Sequence, residues 1–190
     1  VTNGVNNESK MMLYNANSDI MSEVEYTATL DGRTSAICAS RDGNKYKLGT
    51  EPQLPAHPNC RSYYTPGIDG IDIESTRPAV VDPDGRTRKQ REKDFRAEAR
   101  DRGVKIGTVR KEWSDKYVKQ VSDKLTFPKL LEQDDQFARG WLGKTRYDLW
   151  KKGDLKIDKF VDVKGSKLSI EDLYKKEKDA FKKAGVAKPK

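Results

Sequence analysis

Apolar residues are sparse along this chain, and their spacing changes character near residue 85. Over residues 4–22, Val5, Met12, Ala16 and Ile20 fall near one face of a 3.6-residue period, which predicts a helix despite an asparagine-rich start. Residues 25–30 (EYTATL) carry β-favouring Tyr, Thr and Leu and predict a strand that ends in a turn at Asp31 and Gly32. Asp42 and Gly43, within RDGN, are a hairpin signal, because a type I′ turn needs positive φ at its central residues. Residues 36–38 and 45–48 are the short strands expected to flank it. The proline-rich stretch 50–59 cannot continue a sheet interior, and residues 60–64 predict a further strand. Residues 65–85, with Pro66, Gly67, Gly70, Pro78, Pro83 and Gly85, predict a long irregular connector.

Beyond the connector the pattern becomes helical and basic. Residues 86–102 predict a helix stopped by Gly103, with Phe95, Ala97 and Ala99 as its whole apolar content. Residues 106–123 are ambiguous, although Val109, Trp113 and Tyr117 keep helical spacing. Residues 126–140 predict one helix with Thr126 as N-cap and Pro128 in the first turn, and residues 145–152 a shorter one ending at Gly153. The last predicted helix, 169–183, opens on a Ser-x-x-Asp sequence that resembles a capping box. Ile170, Leu173, Ala180, Phe181 and Ala184 share one of its faces, and Gly185 stops it. No internal repeat is visible. The elements together predict an α+β fold. Its parts are an N-terminal unit, 1–64, holding a small antiparallel β unit, an extended connector, 65–85, and an extended, mostly helical, basic C-terminal region, 86–190.

Composition sharpens this picture. Hydrophobic residues are 34% of the chain and charged residues 36%, with a mean hydropathy of −0.93, against about 45–50% apolar in ordinary globular domains. An extended chain that borrows burial from partners is therefore expected, and weakly cooperative unfolding when it is isolated. The 3 Trp, 8 Tyr and 5 Phe stand in patterned segments, which argues against complete disorder. No apolar run approaches the ~18 residues of a membrane span, and no signal-peptide core is visible, so no membrane partner is expected.

The net charge of +8 is unevenly spread: residues 1–60 carry 5 basic and 7 acidic side chains, residues 61–190 carry 33 and 23. The excess concentrates in residues 86–111. Arg86, Arg88, Lys89, Arg91, Lys93, Arg96, Arg100, Arg102, Lys105, Arg110 and Lys111 stand there against Glu92, Glu98 and two aspartates, a net +7. Such a stripe can contact phosphates without reading bases. The same residues can instead make a solvated helix laced with i,i+4 ion pairs.

The most specific stretch is residues 27–62, TATLDGRTSAICASRDGNKYKLGTEPQLPAHPNCRS. Five elements occur in order: ATLD at residues 28–31 leading to Arg33 and Thr34, then Cys38, then Asp42 and Gly43, then the prolines at 52 and 55, then HPNCR at 57–61. This order resembles the signature of the phage Mu F-like minor head family. The later stretches 142–149 (LGKTRYDL), 153–162 and 169–184 are similar to members with a basic helical extension. The resemblance implies a structural minor head protein of a tailed phage rather than an enzyme. Such a protein assists head assembly in the host cytoplasm. It then lies in several copies inside the capsid near the portal, in contact with portal or other head proteins and with packaged double-stranded DNA. Asp31, Arg33, Cys38, Asp42, Gly43, His57, Cys60 and Arg61 are the residues that carry the motif. Many relatives have further cysteines at the positions of Ser35 and Ser62.

Cys38, His57 and Cys60 form a C-x18-H-x2-C arrangement of donors that suit zinc. The chain holds 2 Cys and 1 His, so a closed site needs a fourth ligand, Asp31 or Asp42. A Cys38–Cys60 disulfide is a second reading, disfavoured where assembly occurs in a reducing cytosol. A third is a polar knot, with His57 bonded to backbone and both thiols buried as small hydrophobes. In each case the cluster is expected to converge, with Asp31 and Arg33 bracing the turn that presents Cys38. A Cys–His nucleophile pair is weakly indicated. The acidic and histidine cluster of a metal nuclease is missing, as is a glycine-rich phosphate loop in strand–loop–helix context. The reading from a different class is a stand-alone, sequence-independent nucleic-acid-binding module built on the basic stripe.

Overall fold

A computed structural model describes residues 2–68, 70, 71, 74–80, 88–162 and 165–189. α1 (Thr2–Ala16) is a helix, but it packs the opposite way from the expected one. Asn7 and Tyr14 are buried, while Val5, Met12 and Leu13 are exposed. The asparagines face inward because backbone carbonyls there need donors. Asn3 Nδ2 donates to the carbonyls of Cys60 (2.8 Å) and Ser62 (3.2 Å), and Asn7 Nδ2 to that of Ser62 (3.1 Å). Buried carbonyls without a strand partner are costly unless such groups satisfy them.

β1 (Glu23–Thr27) places Val24 and Tyr26 inward, both fully buried. The next segment departs from expectation. Ser35 caps α2 (Ala36–Arg41), a helix where a strand was expected, and its hydroxyl accepts from the Cys38 N–H. Two alanines and the cap favour helix here, and the Asp42–Gly43 turn joins α2 to β2 (Lys45–Lys47) instead of closing a hairpin. β2 pairs antiparallel with β1, Val24 opposite Tyr46. β3 (Tyr63–Gly67) completes the sheet in the order β2-β1-β3, Tyr26 opposite Tyr64.

The expected irregular connector contains β4 (Thr76–Val80), which pairs antiparallel with β5 (Val118–Ser122), Val80 opposite Val118. Two helices lie between these strands in sequence, α3 (Arg88–Asp101) and α4 (Ile106–Tyr117). They meet through Phe95 and Trp113, ring centroids 5.9 Å apart, and around buried Ala99 and Val109. Residues 106–123, ambiguous in sequence, are thus a helix followed by a strand.

The C-terminal part is a set of short helices. The predicted helix 126–140 is two, α5 (Phe127–Gln133) and α6 (Asp135–Leu142), because Asp134 ends the first and its side chain caps the second on the Phe137 N–H. α7 (Lys144–Lys151) follows, then a 3₁₀ turn (Ile157–Phe160). The predicted helix 169–183 divides at Glu177 into α8 (Ile170–Lys176) and α9 (Lys178–Ala184). Ser169 caps α8 on the Asp172 N–H as expected, and Gly185 ends α9 at φ 66°.

The fold is α+β. Lean composition still yields two hydrophobic clusters. One gathers Tyr14, Val24, Tyr26, Ile37, Leu54 and Tyr64 with both cysteines. The other is built on Phe127, Leu131, Phe137, Leu149, Phe160 and Phe181, and it includes Leu30, Ala39 and Ala79. The second core therefore crosses the partition expected between residues 64 and 86. No helix among the described residues is long and apolar enough to cross a membrane.

Candidate functional site

The motif residues converge. His57–Cys60 is a β-turn closed by the Cys60 N–H on the His57 carbonyl (3.1 Å), with Pro58 at its second position and Asn59 at φ 61°. Proline followed by an asparagine with positive φ is the composition of a type II turn. The turn brings His57 and Cys60 to one side, facing α2. Cys38 Sγ lies 3.2 Å from His57 Nε2 and 3.8 Å from Cys60 Sγ. All three donor atoms lie within 4.8 Å of one another. Both cysteines are buried and free.

Hydrogen bonds fix the orientation of each group. His57 Nδ1 is 2.8 Å from the Pro58 carbonyl. A carbonyl only accepts, so Nδ1 carries the proton and Nε2 is the accepting nitrogen. Ser35 Oγ lies 2.8 Å from that same Nε2, and Tyr26 Oη donates to Cys38 Sγ at 3.2 Å. The two thiols lie within hydrogen-bonding reach of each other. The bond from Cys38, with the backbone N–H groups of Ser62 and Ala56, holds Cys60 well below the usual thiol range. Donating to Cys60, together with burial, pushes Cys38 up. A cavity of about 20 Å³ opens beside the cluster, lined in part by Thr34, Ser35, His57, Asn59 and Arg61. It has room for a water-sized guest.

Two carboxylates hold this cluster in place, and neither of them joins it as the expected fourth ligand. Asp31 accepts a bidentate pair from Arg61 (2.6 and 2.7 Å) and the Arg33 N–H (2.9 Å). Burial acts to raise its pKa, but the Arg61 guanidinium and the Arg33 backbone hold it below the usual carboxylate value. Arg33 braces the turn mainly through that backbone N–H, since its guanidinium is 3.7 Å away and 56% exposed. Asp42 is buried and accepts from the Ala28 and Phe127 N–H groups (2.6 Å each) and from both terminal nitrogens of Arg77 (3.1 and 3.0 Å). Burial raises its carboxyl above the ordinary value against the pull of Arg77 and these donors. Gly43, at φ 83°, lies so close to Thr126 that a Cβ would sit 2.3 Å from its methyl group. Asp42 and Gly43 therefore join the two cores. Arg77, Asn3 and Asn7 are the site residues that the sequence reading missed.

The basic stripe has a different character. Arg86 and the side chain of Arg88 lie outside the described residues. Arg102 pairs with Glu98 and Glu112, Arg96 and Arg110 pair with Glu92, and Arg91 stacks over the Trp113 ring at 4.6 Å. Lys89, Lys93, Arg100, Lys105 and Lys111 are exposed, and no ion pair to a described residue holds them. The stripe is thus partly self-neutralised and partly open to solvent. Comparison of the chain with protein-family models, with curated proteins and with solved structures gives no match.

Proposed function

We propose that this chain is a structural minor head protein of a tailed phage, placed inside the capsid near the portal, assisting head assembly and contacting packaged DNA. The supporting observation is what the motif residues do. Asp31, Arg61 and Asp42 are buried or half-buried cross-links between segments 30 or more residues apart, and they frame the thiol–imidazole cluster. Residues that tie distant segments together in this way suit a scaffold role. Exposed Val5 and Met12, seven residues apart on α1 and so on one face, offer apolar surface that a portal or other head protein would cover.

The second reading, a stand-alone nucleic-acid-binding module, draws on Lys89, Lys93, Arg100, Lys105 and Lys111, exposed on α3, at the N-cap of α4 and on α4. Purified particles separate the two. The virion reading expects the chain in DNA-filled heads, in several copies, shielded from external protease, and crosslinked to portal subunits. Its absence from particles, together with recovery on free nucleic acid, would favour the module and reject the virion role.

A further inference from the structure

We propose that Cys38, His57 and Cys60 bind one zinc ion, with a water in the adjoining cavity as the fourth ligand. The spacing fits. Zinc–thiolate bonds of about 2.3 Å at a tetrahedral angle put two sulfurs ~3.8 Å apart, and Cys38 Sγ and Cys60 Sγ are 3.8 Å apart. An imidazole nitrogen at about 2.0–2.1 Å from the same ion lies ~3.5 Å from each sulfur. His57 Nε2 is 3.2 Å from one sulfur and within 4.8 Å of the other, so a small rotation of the ring completes the arc.

The surroundings also fit. The Nδ1 proton is held on the Pro58 carbonyl, which leaves Nε2 as the ligating atom, the usual support of a metal-bound histidine. Tyr26 Oη donates to Cys38 Sγ at 3.2 Å, a hydrogen bond that a metal-bound thiolate keeps. Zinc displaces the thiol protons to solvent, and the two thiolates then balance the ion. Arg61, at the cavity rim, is already neutralised by Asp31. Two sulfurs and an imidazole are soft to intermediate donors, a set that selects zinc over magnesium or calcium. Asp31 and Asp42 are committed to arginines and backbone, so the remaining position falls to the cavity. There Ser35 Oγ, 2.8 Å from Nε2, is placed to hydrogen-bond a bound water. The metal site does not depend on the virion role, since each is read by a different measurement.

Titration of the reduced, chelator-stripped full chain with cobalt(II) chloride tests this without any substitution. The expected result is one cobalt per chain, with thiolate-to-metal charge transfer in the near ultraviolet and the intense visible bands of tetrahedral cobalt, all erased by zinc chloride. Cys60→Ser and His57→Ala are each expected to reduce bound metal from one per chain to none. A titration without charge-transfer bands would overturn the site. So would a chain whose mass shows a Cys38–Cys60 disulfide after purification under reducing conditions, or a folded Cys60→Ser variant that keeps the same spectrum.

Discussion

The motif cluster and the α3–α4 arm are both dense in charge, yet they use it in opposite ways. In the cluster, Arg61 reaches Asp31 and Arg77 reaches Asp42 across 30 and 35 residues of chain, and the Arg77–Asp42 pair is almost wholly buried. In the arm, Arg96–Glu92 and Arg102–Glu98 are four residues apart, the first half-exposed at Glu92 and the second exposed on both sides. A buried pair is strongly destabilising to break, because the survivor is left uncompensated. An exposed pair is worth about 0–1 kcal/mol. Charge therefore specifies the fold in one region and a surface in the other.

The largest effect expected from this contrast is at Asp42. Asp42→Ala strands the Arg77 guanidinium and two buried N–H groups, and should remove about 3–5 kcal/mol in urea unfolding, a large part of the ~5–15 kcal/mol typical of whole domains. A loss under about 1 kcal/mol would place this pair with the surface pairs and break the comparison.

A smaller effect is expected at Arg61, which is 36% exposed. Arg61→Gln should destabilise by about 1–2 kcal/mol at neutral pH, within the range for charged hydrogen bonds after discounting for solvent. The sign with pH follows from Asp31. Its folded pKa is depressed, so its contribution is full above the ordinary carboxylate value of about 3.9 and is lost as pH falls through the folded value. Stability curves of the parent and Arg61→Gln should converge as the solution is made acid. Parallel curves would remove Asp31 from the account.

Smallest in stability, and informative in binding, is the arm. Replacing Lys89, Lys93, Lys105 and Lys111 with Gln should leave the urea midpoint nearly unchanged. The same change should flatten the salt dependence of binding to random duplex DNA, by about 0.9 in log K against log salt for each phosphate that is no longer neutralised. An unchanged slope would make the arm a solvated face.

How far the sequence speaks follows the range of the interactions. β1 was legible because Tyr26 and Thr27 favour strands, though that reading ran over 25–30 and the strand is Glu23–Thr27; the closed His57–Cys60 turn was not predicted. The convergence of Cys38, His57 and Cys60 was legible because a proline-rich loop leads into that turn. Arg77 was not legible, because its meaning depends on Asp42, 35 residues away. α2 was misread because the Asp-Gly signal is local, while the choice of partner for β2 belongs to β1. Asn3 and Asn7 looked like poor helix residues until the carbonyls they serve were placed beside them. The breaks at Asp134 and Glu177 fall inside runs whose apolar period continues, so periodicity alone runs through them.

The β4–β5 ribbon also bears on how the chain can vary. The backbone leaves it at Val80 and re-enters at Val118, directly opposite. Paired Cα atoms stand about 4.5–5.5 Å apart, so the ribbon works as a splice point. Whatever lies between these valines can lengthen, shorten or be exchanged while both strands keep their register. Closing a longer loop adds only about 0.6 kcal/mol per doubling. The arm can therefore diversify as an interchangeable cassette, while Arg77, three residues before the junction, keeps the two cores joined.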